Sequence, residues 1–87
     1  MTVRSRILAK LTGSFAPSLL EVIDESHQHA GHAGVAGALG ETHFRVIIRA
    51  ERLDGLGRVA QHRLVNAALS DELAGGVHAL AIEVRRG

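Results

Sequence analysis

The sequence predicts a single α+β domain with element order α-β-β-α-α-β, a three-stranded mixed sheet, and helices packed on one face of that sheet. Three observations lead there. First, HFRVIIRA (43 to 50) alternates strictly, with Phe44, Val46, Ile48 and Ala50 on one face and His43, Arg45, Ile47 and Arg49 on the other. That is the period of a strand with one buried side. Second, LLEVIDES (19 to 26) is a second strand-like run, and no helical pattern separates it from the first, so the two form an antiparallel hairpin with a long loop. Third, helical spacing fills the chain between residue 50 and VHALAIEV (77 to 84). The last two strands are therefore joined by a right-handed crossover and run parallel.

Each element has its own local reason. Val3, Ile7, Leu8 and Leu11 fall at helical spacing, which predicts a helix over 3 to 12, ended by Gly13 and kept from resuming by Pro17. After ERLDGLG comes a helix over about 58 to 69, with Ala60, Leu64, Ala67 and Ala68 on one face. Ser70 reads as the N-cap of a short turn, 71 to 74, whose acids suit a helix N-terminus. Gly75-Gly76 breaks it before the last strand. The expected core is Val46, Ile48, Leu64, Leu80 and Ile82. No repeat or internal boundary divides residues 1–87, and a chain of 87 residues buries roughly 60–70% of its unfolded surface, enough for one modest core.

Composition narrows the function. Ten basic and nine acidic residues leave a net charge of +1, too balanced to argue for nucleic acid or membrane on charge. The longest apolar run falls short of the roughly 20 residues of a membrane span, and MTVRSRILAKLTGSF lacks the pattern of a secretory signal. The expectation is a cytoplasmic protein. The chain contains no cysteine, which excludes disulfides, a thiolate zinc site and a cysteine nucleophile. An enzyme is not expected. Nothing assembles a nucleophile with a base and oxyanion donors, and Asp24 and Glu25, as neighbours on a strand, point to opposite faces.

Six histidines stand against that background, four of them in DESHQHAGHAGVAGALGETHF: His27, His29, His32 and His43. Topology supplies a reason to single them out. The hairpin loop ends where the second strand begins, and a parallel third strand begins at the same edge, so His78 is expected to meet the loop. Two readings of His78 stay open on the residues: a packing group sharing its face with Leu80 and Ile82, or a ligand. The loop histidines are either a solvated, glycine-rich tract or metal ligands. His43 lies on the Arg45 face, away from Phe44.

DESHQHAGH, ETHFRV, HRLVNAAL and VHALAI together resemble the BolA family, small proteins with a KH-like (class II) fold, from about Leu19 to Ile82. Two departures are visible: Leu53 stands where the family has an aromatic, and Gln61 where it begins an Arg-His-Arg triplet. The resemblance implies a role in iron-sulfur cluster assembly or trafficking, with a [2Fe-2S] cluster shared with a monothiol glutaredoxin. It carries the ligands onto His29 and His78, with His32 competing as the loop ligand. Glutathione and a cysteine would come from the partner's side, and the cluster-free protein would be a monomer. Two imidazoles in place of two thiolates raise the potential of such a cluster. The family has also been assigned a transcription-regulator role in stress and morphology through its KH-like surface. Here that surface would be Arg58, His62 and Arg63, in the locally basic 45–63 segment. Gly55-Leu56-Gly57 is not a GXXG clamp and aromatics are 2%, so DNA binding is the second reading.

Overall fold

The computed structural model describes residues 2–25, 43–77 and 79–86. Helix α1 (Val3–Phe15) is capped by Thr2, whose hydroxyl accepts from the Ser5 N–H at 3.0 Å, and it buries Ile7, Leu11 and Phe15. These three residues recur every four positions, one stripe of a helix. The helix does not end at Gly13 as expected. A helical glycine costs only about 1 kcal/mol, and one further turn buries Phe15. The chain stops at Ala16, which takes a left-handed conformation (φ 46°) and returns its N–H to Thr12 O.

Strands β1 (Leu19–Asp24) and β2 (His43–Arg49) pair antiparallel, from Leu19 opposite Arg49 to Asp24 opposite Phe44. Strand β3 (Ala79–Val84) pairs with β2 in parallel, from His43 opposite Ala79 to Ile48 opposite Val84. The sheet order is β1-β2-β3, so the crossover expected from the sequence is present and β2 is the centre strand. The alternation in β2 holds through its length: Phe44, Val46 and Ile48 are buried, while His43, Arg45, Ile47 and Arg49 are half-buried on the opposite face.

Between β2 and β3 the chain makes a single 3₁₀ turn (Glu51–Leu53), then helix α2 (Arg58–Ala68) and the short α3 (Ser70–Ala74). Two expectations fail here. The inward face of α2 is Gln61 and Val65, flanked by the half-buried Leu64 and Ala68, whereas Ala60 and Ala67 are exposed. Alanine carries too little area to orient a helix against a γ- or β-branched neighbour, since the stabilisation scales with apolar area removed from water. Ser70 is not an N-cap: it is the first residue of α3, Leu69 precedes it, and no side chain caps the helix.

Ile7, Leu11, Phe15, Val22, Phe44, Val46, Ile48, Leu53, Val65 and Leu69 join in one cluster between helices and sheet. Of the expected core, Val46 and Ile48 are fully buried, and Leu64, Leu80 and Ile82 pack partly exposed against its margin. The last two lie on an edge strand, covered less than the centre one. Helix α3 is tied to α1 by charge: Glu72, its side chain 3% exposed, holds Lys10 at 2.9 Å and Arg6 at 3.8 Å. A carboxylate that deeply buried requires such partners.

Candidate functional site

The two strand registers define one edge of the sheet. At the end of β1, the Glu25 N–H donates to His43 O at 2.8 Å, and His43 stands opposite Ala79 across the parallel pair. The points where the chain leaves for residues 26–42, returns from them, and enters β3 therefore lie side by side. His27, His29, His32 and His78 fall outside the described residues, but the backbone positions that flank them are fixed. Glu25 is further held by Arg45, whose Nε donates to its carboxylate at 3.0 Å on the face away from the helices. His43 is half-buried on that same face.

Without thiolates, the donors this edge can offer are nitrogen and oxygen, and among the described residues the Glu25 carboxylate and the His43 imidazole lie there. No cysteine exists in the chain, and among the described residues no three His, Asp or Glu side chains are gathered closely enough to hold a metal ion. The expected ligands His29, His32 and His78 all fall outside the described residues. Two imidazoles fit half of a [2Fe-2S] ligand set and leave two coordination positions to be filled from another molecule.

The second candidate surface lies on α2. Arg58 is exposed and His62 half-buried; with Arg45, Gln61, Ile82, Glu83 and Val84 they line a polar cleft of about 280 Å³. Arg63 is exposed and stands apart from this cleft. The structure thus brings two of the three basic-surface candidates together. Gln61 serves the fold: its Nε2 donates to Leu53 O at 2.9 Å, at 4% residue exposure. It fastens the 3₁₀ turn to α2 and thereby sets where Arg58 and His62 stand. The sequence offered one signal for this, a polar residue on the same side as Leu64 and Val65, and it was obscured by the neighbouring alanines.

Fold and edge together define a small α+β domain built on a mixed three-stranded sheet, with imidazole-bearing segments flanking one sheet edge. The family follows from comparison. The model of the BolA-like protein family matches residues 11–86, and the chain belongs to that family. It is 48% identical over 83 residues to mouse BolA-like protein 1, covering 95% of this chain and 57% of that protein. It is 40% identical over 82 residues to the DNA-binding transcriptional regulator BolA of Escherichia coli K12, covering 94% and 73%. Among solved structures, the BolA domain of SufE1 from Arabidopsis thaliana superposes with a TM-score of 0.83 at 42% identity, over 95% of this chain and 90% of that one. The chain spans a little over half the length of the mammalian relatives it matches.

Proposed function

We propose that the protein receives and hands on a [2Fe-2S] cluster at the sheet edge formed by Glu25, His43 and Ala79, in a shared complex with a monothiol glutaredoxin. The observation that carries this reading is the parallel register of β2 and β3, which sets His43 opposite Ala79 and so brings the flanks of both histidine-bearing segments to one edge. Family membership supports it. In this reading the cluster is cargo. His78 supplies one ligand and His29 or His32 the other, while the partner's cysteine and glutathione complete the set. Imidazole binds a metal only in its neutral form and is lost on protonation, which suits a site that hands its cluster on. Acting in the cytoplasm as a monomer until it meets its partner, the protein performs no reaction of its own.

The test compares two titrations, one with cluster-loaded monothiol glutaredoxin and one with duplex DNA. Tight, salt-tolerant association is expected with the first, and weak binding that collapses with added salt for the second, as phosphate-dominated contacts do. The second reading, a DNA-binding regulator, is favoured by the name of the Escherichia coli relative and by the exposed Arg58 and Arg63 on α2. Sequence-selective DNA binding that survives physiological salt would put it first.

A further inference from the structure

The basic segment 45–63 does not act as one patch. Arg45 is ion-paired with Glu25 and lines the α2 cleft with Arg58, while Arg63 stands exposed apart from that cleft. Arg49 and Arg52 go elsewhere, to a cleft of about 380 Å³ lined also by Gly13, Ser14, Phe15, Ala16, Ser18 and Glu51. This cleft is at the far end of β2. Arg49 is six residues beyond His43, about 20 Å at the rise of a strand.

Both guanidiniums are held in place before any ligand arrives. Arg52 donates to Ser14 O at 2.6 Å and lies over the Phe15 ring, 5.3 Å from its centroid. Arg49 donates to the Ser18 hydroxyl at 2.7 Å, and that hydroxyl points back to Arg49 O at 3.3 Å. Each guanidinium has five N–H donors, so each keeps several that these bonds do not use. Among the described residues the ion pairs engage Arg6, Lys10, Arg45 and Arg85, and neither Arg49 nor Arg52. The two cations outweigh the Glu51 carboxylate and the partial negative charge of about one half at the end of α1. Ser14 and the left-handed Ala16 complete the wall. Planar, pre-positioned guanidiniums match phosphate geometry with little entropy lost on binding.

We infer that the Arg49–Arg52 cleft is a binding site for a dianionic phosphate group, borne by a small organic monoester or free. Its volume is at the lower end of the range for small-molecule sites, roughly 300–1,000 Å³, which leaves room for an organic group beyond the phosphate. The site is independent of the cluster edge and of the α2 surface.

The experiment is a set of NMR titrations of the full chain with phenyl phosphate, inorganic phosphate, acetate, chloride and a single-stranded oligonucleotide at matched ionic strength. Saturable shifts confined to residues 13–18 and 49–52 are expected with the phosphates and not with acetate or chloride. A tighter fit for phenyl phosphate assigns an ester, and equal affinities assign free phosphate. Arg49→Gln is expected to weaken binding tenfold or more. Two exposed positions guard against a folding artefact. Gly13→Glu, where an added Cβ meets nothing within 4 Å, is expected to weaken binding by a similar factor with both arginines intact. Glu51→Gln is expected to tighten it several-fold. Shifts that do not saturate, an equal response to acetate, a response to the oligonucleotide only, or unchanged affinity in Arg49→Gln would each overturn the assignment.

Discussion

Replacing Gln61 by Met isolates one hydrogen bond on which the placement of α2 depends. Gln61 is 4% exposed and its Nε2 donates to Leu53 O at 2.9 Å. Methionine has nearly the same volume and flexibility but no donor, so the cavity contribution is small. A buried carbonyl stripped of its donor costs about 1–3 kcal/mol. Leu53 O also accepts a long bond from the Leu56 N–H at 3.3 Å, which keeps it partly satisfied and puts the loss near the lower end, about 1–1.5 kcal/mol. In a domain of this size each kcal/mol moves Tm by roughly 4–8 °C, so the variant should melt about 4–12 °C below the parent. Thermal unfolding followed by far-UV circular dichroism measures this directly. An unchanged or raised Tm would mean that apolar packing at position 61, and not the bond to Leu53, holds the turn.

Other consequences follow from charge, packing and ligand redundancy. The hydrogen bond from Lys10 to Glu72, aided by Asp71, raises the Lys10 pKa above its ordinary 10.5. Since the folded-state value lies above the unfolded one, this stabilisation is complete below pH 10.5 and is lost as pH rises through the folded value. Lys10 is the chain's single lysine and there is no tyrosine or cysteine. Alkaline denaturation monitored in Lys10→Met should therefore lack the loss that the parent shows above pH 10.5, and an identical profile would refute the assignment. Phe44→Ala, at 1% exposure in the centre strand, should cost about 3–5 kcal/mol in denaturant unfolding. A loss under about 1 kcal/mol would show that the β2 face is not the packed one. In the complex with glutaredoxin, His29→Ala should weaken the cluster's visible circular dichroism and His29→Ala with His32→Ala should remove it. A double variant that keeps the signal would place the loop ligand elsewhere.

What the sequence disclosed depended on how strongly area and period constrained each element. The β2 alternation was legible because four apolar residues at strict period two leave one register in which all are buried. The parallel crossover followed from element order and handedness. The end of α1 is not legible from Gly13 alone, because burial of Phe15 outweighs the glycine's cost. The α2 face is hidden in the sequence because alanines count as apolar in a pattern yet contribute little area, and because Gln61 is polar yet buried with its donor satisfied by Leu53. Glu72 on α3 looked like a dipole complement in a short helix, and is in addition the buried partner of Lys10 and Arg6. At the candidate site, connectivity alone brought residue 43 to the start of the third strand, and the register agrees. The cleft of Arg49 and Arg52 was not legible, because Ser14, Ser18 and the arginines meet only once α1 packs against β1 and the strands pair.

The central claim is that this chain supplies imidazole ligands to a shared [2Fe-2S] cluster at the edge where β2 and β3 begin. Its most direct test is visible absorption and circular dichroism of the heterocomplex reconstituted with monothiol glutaredoxin, comparing the parent with His78→Ala. The variant should still associate with glutaredoxin but lose the histidine-ligated spectrum. A His78→Ala complex with the parent's spectrum would contradict it and return His78 to the role of a packing residue.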